Sequence, residues 1–325
     1  CGNVTVEPAT PEASFYCRIR TGVPANATIV YRAVATSDSG TARGELLTVR
    51  LQDPGGGTGS GLAAGNDRIL AFAVRVPNGG GIWAFGADGA PTTFVNGTGG
   101  LSSQPAWAPD RRRLAFVRGI PGQIAVVNWD GTGLRDLTTI GGGSPAWSPD
   151  GRRIAFARAP SALTIMDADG SNLVRPTGLP ANVTTIHWSP DGRRIAFGTA
   201  GATGTWTLWT VDAQGGDLRS VVEVPGTEAH VRWSPDGARF LVSGLRDGTT
   251  QVFVANADGS GLRALTTGTT RRRFPAWSPD GRRIVYTVQA SGDVERLAVA
   301  NPDGSGERVI TPGLAESAIW PAWAP

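Results

Sequence analysis

One phrase recurs along this chain and constrains its fold more than any other feature. In its fullest form it reads P-A-W-S-P-D-G-R-R-I-A-F, beginning at Pro145. The tryptophans that anchor its copies lie 40, 41, 45, 44 and 46 residues apart, at Trp107, Trp147, Trp188, Trp233, Trp277 and Trp323. A period of about 40–45 residues with W, P-D and D-G marks is the signature of a β-propeller blade. A single repeat cannot bury its apolar face alone, so successive blades must pack on one another.

Each repeat divides into four short strands. The first carries the tryptophan, and the Ser-Pro-Asp-Gly after it suits a tight turn, because proline presets φ and Asp-Gly favours hairpins. The second strand, such as the segment from Arg152 to Ala157, is apolar enough to be packed on both faces. The third ends in another Asp-Gly turn, and the fourth is shorter and more polar. The pattern predicts an all-β fold of four-stranded antiparallel blades.

The number of blades depends on how far the repeat extends toward the N-terminus. Residues Leu62–Phe72 align on the repeat without a gap, and a weaker match begins at Val23. With both segments included, second strands recur every 40 to 45 residues at seven positions, which are Tyr31, Phe72, Phe116, Phe156, Phe197, Val242 and Tyr286. The sequence therefore predicts a seven-bladed propeller over residues 15–325, after an N-terminal tether of residues 1–14.

The C-terminal segment is predicted to close this ring. The predicted blades are approximately 23–61, 62–104, 105–144, 145–185, 186–230, 231–274 and 275–317. From Ile319 the chain reads I-W-P-A-W-A-P, which resembles a first strand with no second strand after it. We therefore predict that residues 318–324 become the innermost strand of blade 23–61, which removes exposed edges. Ser14–Arg20 competes for that slot, and the alternative fold is six blades with residues 1–61 as a separate small β unit.

These segments closely resemble the repeat of the TolB-type β-propeller, a WD-repeat-like family common in bacterial periplasmic and lipid-anchored proteins. The resemblance is specific over about residues 105–325 and weaker over residues 23–104. It implies a propeller fold and, more loosely, a role in binding or scaffolding.

Charge and hydropathy exclude several kinds of partner. All 30 basic residues are arginine, and the net charge of +3 is too balanced for a nucleic-acid-binding surface. No segment approaches the ~18 uninterrupted apolar residues of a transmembrane helix. Arginine pairs such as Arg152–Arg153 recur with the blade period, and we interpret them as solvated hairpin edges, with contact to an anionic partner as the alternative.

The two cysteines, Cys1 and Cys17, bear on localisation. A start at Cys-Gly-Asn followed by a Pro/Thr/Glu-rich stretch resembles the mature N-terminus of a bacterial lipoprotein, in which the Cys1 thiol carries diacylglycerol. Two acyl chains anchor a protein stably where one does so only marginally. The alternative is a Cys1–Cys17 disulfide in an exported protein, which acylation of Cys1 would preclude. We expect a membrane-anchored lipoprotein facing the periplasm or the cell exterior, with no cofactor besides this lipid.

The loops sort onto two faces of the ring. Turns joining first to second and third to fourth strands share one face, are nearly identical between repeats and are interpreted as structural; we call it the repeat face. The other face, the variable face, carries loops of different length and charge, and we expect binding there and at the channel mouth. Its candidate partner-binding residues are Arg118, Arg158, Glu228, Arg246, Asp247, Arg271, Arg272, Arg273, Asp293 and Glu295.

Metal sites find little support. His187 and His230, the only histidines, precede neighbouring repeats and are weak metal candidates, because the spacing specifies no third ligand. The D-A-D-G-S-N segment at Asp167–Asn172 begins like a calcium loop. The EF-hand pattern requires an acid at its twelfth position, which is Gly178 here, so a hairpin turn is favoured.

Catalytic motifs are equally sparse. The chain contains no G-x-S-x-G nucleophile elbow and no lysine for a phosphate-binding G-x-x-x-x-G-K-[ST] loop. The sequence predicts a non-catalytic protein-binding or scaffold lipoprotein of the bacterial cell envelope, including a subunit of a membrane-associated complex. The alternative is a propeller-type enzyme, such as a polysaccharide lyase or glycosidase, acting on a carbohydrate or peptide at the channel mouth. That alternative requires clustered acids, or histidines with a metal, at that mouth.

Overall fold

The structure is a computed structural model, and it divides into two units, Cys1–Ala64 and Gly65–Pro325. It describes seven strands between residues 28 and 95, and then residues 102–139, 141–158, 162–201, 204–289, 294–311 and 317–324. Within these described residues, no helix has the length and apolar character needed to cross a membrane.

The first unit contains two nested strand pairs. Its strands are β1 (Thr28–Tyr31), β2 (Val34–Ser37), β3 (Gly40–Arg43) and β4 (Leu47–Arg50). Strand β2 pairs with β3, and β1 pairs with β4 outside them. In a propeller blade, each strand pairs with the next one along the chain. The nested order therefore shows that this segment is not a blade.

The second unit contains six antiparallel sheets, each a blade. Blade 1 contains β5 (Leu70–Val76), β6 (Gly79–Phe85) and β7 (Pro91–Val95). Blade 2 contains β8 (Ser102–Trp107), β9 (Arg113–Arg118), β10 (Gln123–Asn128) and β11 (Arg135–Asp136). Blade 3 contains β12 (Gly142–Trp147), β13 (Arg153–Arg158) and β14 (Ala162–Asp167), with its outer strand reduced to the single bridge Ile165–Val174.

Blades 4 to 6 each have four strands. Blade 4 contains β15 (Val183–Trp188), β16 (Arg194–Ala200), β17 (Thr205–Asp212) and β18 (Arg219–Pro225). Blade 5 contains β19 (Val231–Trp233), β20 (Arg239–Arg246), β21 (Thr249–Asn256) and β22 (Arg263–Ala264). Blade 6 contains β23 (Arg272–Trp277), β24 (Ile284–Gln289), β25 (Glu295–Ala300) and β26 (Arg308–Val309).

The last strand, β27 (Ser317–Trp323), closes the ring by pairing with β5. Trp323 lies opposite Leu70 and Ser317 opposite Arg75. Ring closure by the C-terminal strand is therefore confirmed, but the prediction that it completes blade 23–61 is wrong. The Leu62 copy has Ala63 at the tryptophan position, and β27 occupies the first-strand slot of its blade.

The prediction of seven blades is accordingly wrong, and the six-bladed alternative agrees with the structure. The six innermost strands contact one another in the closed order β27, β8, β12, β15, β19, β23 and back to β27. No edge of the ring is left for a seventh sheet. The segment from Val23 matches the repeat at Pro24 and over Ile29–Tyr31, but it lacks the tryptophan phrase that places a strand at the ring axis.

The repeated arginines help to hold neighbouring blades together. In three places the guanidinium carbon lies 4.8, 4.8 and 5.0 Å from the ring centroid of a tryptophan one blade further on, in the pairs Arg113–Trp147, Arg153–Trp188 and Arg239–Trp277. In the Arg-Arg dipeptides of the repeat, the first arginine points into solvent. The Arg193 side chain, for example, is 86% exposed. The interpretation of Arg152–Arg153 as a solvated edge therefore holds for Arg152 and is wrong for Arg153, whereas Arg282 and Arg283 are both exposed.

The Ser-Pro-Asp-Gly turn is fixed by its own side chains. The Ser148 hydroxyl donates to Asp150 Oδ1 over 2.5 Å, and the same oxygen accepts the Arg152 N–H over 3.0 Å. These hydrogen bonds lower the pKa of Asp150. The network recurs at Ser189–Asp191, Ser234–Asp236 and Ser278–Asp280. The polar side chains of the repeat face thus stabilise turns.

Candidate functional site

The innermost strands carry a recurring backbone irregularity three residues before the tryptophan. Strands β8, β12, β23 and β27 each shift register there, as at a β-bulge. The residues at the shift have positive φ, namely Gln104 (53°), Ser144 (50°), Phe274 (55°) and Trp320 (52°). A positive φ is uncommon outside glycine, is a marked outlier for bulky side chains, and costs about 1–3 kcal/mol. Strain of this kind clusters at binding sites.

We call the six residues at this position the collar, because they lie on the strands that enclose the channel. In blade order from blade 2 they are Gln104, Ser144, Thr185, His230, Phe274 and Trp320. Half of the collar is polar and is linked across blades. Gln104 Oε1 accepts the Ser144 N–H over 2.6 Å, and Thr185 Oγ1 accepts the N–H of Val231 over 3.3 Å. This half is occupied by hydrogen bonds between strands.

The other half of the collar is aromatic and spans blades 5, 6 and 1. The ring centroids of His230 and Phe274 lie 5.4 Å apart at 73°, and those of Phe274 and Trp320 lie 5.2 Å apart at 44°. Edge-on and tilted contacts at these distances are favourable for aromatic pairs. Phe274 and Trp320 remain partly accessible. These three residues form what we call the aromatic wall.

Charged residues of the variable face adjoin this wall. Arg273 binds Glu295 through two hydrogen bonds of 2.8 Å, and its guanidinium carbon lies 4.5 Å from the ring centroid of Phe274. Glu228 contacts both Arg271 and, over 3.5 Å, Arg273. Four predicted partner-binding residues therefore meet in one cluster, the variable-face network of Glu228, Arg271, Arg273 and Glu295.

A cavity of about 290 Å³ opens beside this network. Its lining includes Gly226, Gly244, Leu245, Glu228 and Arg271. A Cβ at Gly226 would lie 3.0 Å from the Leu245 amide nitrogen, so glycine is required for the close approach of blades 4 and 5. Glu228 Oε2 is buried and has no hydrogen-bond partner among the described residues. The volume suits one side chain or a small ligand.

Arg272 belongs to the same arginine run but has a structural role. It binds Glu307 through Nε–Oε2 and Nη2–Oε1 hydrogen bonds of 2.6 and 3.0 Å. The Tyr286 hydroxyl donates to Glu307 Oε2 over 2.6 Å. Hydrogen bonding from Arg272 lowers the pKa of Glu307, and burial raises the pKa of Tyr286. Arg272 also donates to the carbonyl of Thr270, which fixes the loop before β23.

The remaining predicted residues lie apart from the network. Arg118 in blade 2 forms an ion pair with Asp136 over 3.0 Å, and Arg158 ends β13 in blade 3. Arg246 and Asp247 lie at the exposed turn between β20 and β21, 3.4 Å apart. Asp247 and Gly248 both have positive φ, as a type I′ hairpin turn requires. Asp293 and Cys1 lie outside the described residues.

The two histidines lie on or beside adjacent innermost strands, close to an arginine. Burial and the charge of Arg232 lower the pKa of His187 to about 3 and that of His230 well below its usual value. Among the residues that the structure describes, no three His, Cys, Asp or Glu side chains converge as metal ligands. At Asp167–Asn172, the Asn172 amide donates to Asp167 Oδ2 over 2.6 Å, and Ser171 donates to Asp169. Both carboxylates are thus engaged within the hairpin turn.

Sequence reasoning missed Phe274, Trp320 and Arg232. Each occupies a position at which the repeat varies: Phe274 and Trp320 lie three residues before the anchoring tryptophan, and Arg232 lies one residue before it. Three residues before the tryptophan, the six copies carry six different residues, whereas the tryptophan itself never changes. That contrast was available in the sequence as a signal.

Comparisons with known proteins agree with this architecture. A family model described as the TolB beta propeller domain matches residues 144–325. No curated protein sequence matches the chain. The solved structure of TolB from Acinetobacter baumannii is 19% identical with a TM-score of 0.69, and the match covers 92% of this chain and 83% of that one.

Two further solved structures show the same fold. Putative TolB from Agrobacterium tumefaciens is 18% identical with a TM-score of 0.61, and the match covers 79% of this chain and 99% of that one. An oligogalacturonate lyase in complex with manganese is 14% identical with a TM-score of 0.50, covering 88% and 74%. At these identities the structural likeness establishes the fold alone. The family model matches more than half of the sequence, and the chain therefore belongs to the TolB β-propeller family.

Proposed function

We propose that this protein is a non-catalytic binding or scaffold protein of the bacterial cell envelope. It engages a partner protein with the sector of the variable face that contains the aromatic wall and the variable-face network. The single observation that carries this proposal is the pair of strained aromatic residues, Phe274 and Trp320, held partly accessible beside Arg273. Tryptophan, tyrosine and arginine dominate the energetics of protein interfaces, and strained backbone collects at binding sites.

The network prepares this surface for binding. Arg273 is held by two hydrogen bonds to Glu295, and the loop before β23 is fixed by Gln251, which donates to the carbonyls of Gly268 and Thr270. A surface that is ordered before binding loses less conformational entropy when a partner arrives. The partner is expected to supply apolar side chains that contact the aromatic wall, and hydrogen-bond acceptors for Arg271 and Arg273.

This proposal is tested by comparing how much partner protein two double variants bind. We expect the double variant Phe274→Gly/Trp320→Gly to retain no partner protein when it is purified from native membranes, because both aromatic contacts are removed. Glycine tolerates positive φ, so the backbone is preserved. The matched control is Arg193→Ala/Arg282→Ala, which removes two exposed side chains of the repeat face. Equal retention by both double variants would contradict the proposal.

The lipid anchor is a separate part of the proposal. We propose that the protein is exported and that the Cys1 thiol carries diacylglycerol, because a Cys-Gly-Asn segment followed by a Pro/Thr/Glu-rich stretch suits such an anchor. Mass spectrometry of the native N-terminus tests it, with the expected result a mass increase from acylation at Cys1. An unmodified Cys1, or a Cys1–Cys17 disulfide, would exclude the anchor.

One observation favours a second candidate function, a propeller-type enzyme acting on a carbohydrate or peptide. Glu228 Oε2 lacks a hydrogen-bond partner in the described structure and adjoins the 290 Å³ cavity. In such an enzyme Glu228 would act as the general base. Against this, Glu228 contacts two arginines, which leaves it part of a structural network. Turnover of an oligosaccharide or peptide that Glu228→Gln abolishes would favour the enzyme.

A further inference from the structure

The position just before the anchoring tryptophan singles out two neighbouring blades. It is alanine in four blades, at Ala106, Ala146, Ala276 and Ala322. In blades 4 and 5 it is His187 and Arg232, on the adjacent innermost strands β15 and β19. Four blades form with alanine here, so the fold does not require large polar side chains at this position. Around the channel, the large polar side chains of His187 and Arg232 therefore stand beside the alanines of the other four blades.

Arg232 is a cation without an anionic partner in the described part of the chain. Its Nη1 donates to the carbonyl of its neighbour Val231 over 2.9 Å, and it forms no ion pair with a described carboxylate. A guanidinium has five N–H donors, so most of its donors find no acceptor among the described residues. Burial lowers the pKa of Arg232 to about 10, which leaves it charged at neutral pH.

Arg153 and Arg239 are also partly enclosed, and each lies over a tryptophan ring. Four further arginines are paired with carboxylates. They are Arg118 with Asp136, Arg194 with Asp217, Arg272 with Glu307 and Arg273 with Glu295. An enclosed charge without a partner is costly, because desolvation is not offset. Arg232 thus has neither a carboxylate nor an aromatic ring as its partner among the described residues.

The two imidazoles lie within the field of Arg232. Its positive charge lowers the pKa of both His187 and His230, and both rings are neutral at pH 7. His187 Nδ1 accepts the N–H of Trp233 over 3.2 Å. The neutral ring must therefore carry its proton on Nε2, which makes that atom a hydrogen-bond donor.

We propose that Arg232, His187 and His230 form an oxyanion-binding site in the central channel, which takes a carboxylate or phosphate group. The planar guanidinium matches both groups through paired hydrogen bonds, and His187 Nε2–H supplies a further donor. The bound anion provides the negative charge that no described carboxylate provides. This site adjoins the aromatic wall, because His230 belongs to both, but it binds an anion rather than the partner protein.

Histidine NMR tests the proposal directly, because the chain has only two histidines. Inorganic phosphate and acetate are titrated separately into the full chain at pH 7.5 and constant ionic strength. We expect saturable shifts of the imidazole signals with at least one anion, and the tighter of the two identifies the preferred group. The absence of a saturable shift with either anion would overturn the proposal.

Three variants make the test specific. Arg232→Gln is expected to weaken anion affinity at least tenfold, and Arg232→Lys to weaken it less, because lysine keeps the charge but loses the paired geometry. Arg193→Gln on the repeat face is the matched control and should bind as the wild type does. We expect the thermal midpoint of Arg232→Gln not to fall, since it relieves an unpaired enclosed charge. Unchanged affinity in folded Arg232→Gln would contradict the site.

Discussion

The guanidinium carbon of Arg153 lies 4.8 Å from the ring centroid of Trp188 in the next blade. This contact converts the repeated phrase into a connection between blades, since arginine and tryptophan come from consecutive copies. Arg153 also donates to the carbonyl of Ala213 over 3.3 Å, while its neighbour Arg152 is exposed.

Replacing Arg153 and Arg152 one at a time distinguishes an arginine that connects two blades from one that is exposed to solvent. We expect Arg153→Ala to lower the free energy of unfolding by about 1 kcal/mol, because a cation–π contact and packing are lost. Arg152→Ala, the matched control, is expected to change it by less than about 0.5 kcal/mol. Chemical denaturation measures both, and equal effects would show that the Arg–Trp contact contributes nothing.

Ring closure by β27 can be tested with an engineered disulfide. Ser317 lies opposite Arg75, and paired residues of antiparallel strands have Cα atoms about 4.5–5.5 Å apart, within the range that a disulfide spans. We expect Ser317→Cys/Arg75→Cys, in a Cys1→Ser/Cys17→Ser background, to form a bridge and to raise the thermal midpoint. The single-cysteine variants are the controls. Failure to form the bridge under oxidising conditions would contradict the six-bladed closure.

The two histidines near Arg232 predict a loss of stability in mild acid. The folded-state pKa of His187 is about 3 and that of His230 is also depressed, whereas unfolded histidine titrates near 6.5. The unfolded state therefore binds protons first as pH falls below about 6.5. Each histidine then lowers stability by up to about 1.4 kcal/mol per pH unit.

His187→Asn checks this assignment, because the amide oxygen can still accept the Trp233 N–H. We expect the variant to show a flatter dependence of unfolding free energy between about pH 4 and 6.5. The turn aspartates have lowered pKa values, so their contribution is lost as pH falls below about 5, and it is common to the wild type and the variant. An unchanged slope in His187→Asn would show that His187 is not buried in its neutral form.

Backbone strain at Trp320 predicts an unusual order of variant stabilities. With φ of 52°, this position suits glycine better than any residue with a Cβ. We expect Trp320→Gly to be more stable than Trp320→Ala by about 1 kcal/mol, although glycine in a strand normally weakens it. Thermal and chemical denaturation of the two variants provide the measurement. Greater stability of the alanine variant would remove the argument for strain.

The sequence predicted the blade but not the number of blades. The tryptophan phrase at Trp107 to Trp277 has one structural solution, because its turn chemistry and spacing specify four strands each time. The Val23 segment matched only the turn and the second strand of the repeat, and such a match does not show which strand occupies a slot in the ring. That outcome depended on the pairing of Trp323 with Leu70, a contact between distant parts of the chain.

The candidate site was predicted in part for a similar reason. Placement on the variable face brought Glu228, Arg271, Arg273 and Glu295 into consideration, and these residues do meet. Which arginine pairs with which carboxylate follows from how blades 5 and 6 pack, which no local pattern contains. The collar was missed because positive φ at Phe274 arises from a register shift.

Site-specific crosslinking tests the central claim most directly. A photo-crosslinking phenylalanine analogue replaces Trp320 in one protein and the exposed Arg193 of the repeat face in another, both expressed in the native host. We expect one dominant protein adduct from position 320, which is absent from position 193 and is lost when Phe274→Gly is added. The same adduct from position 193, or an adduct at position 320 that Phe274→Gly leaves unchanged, would contradict binding through the aromatic wall.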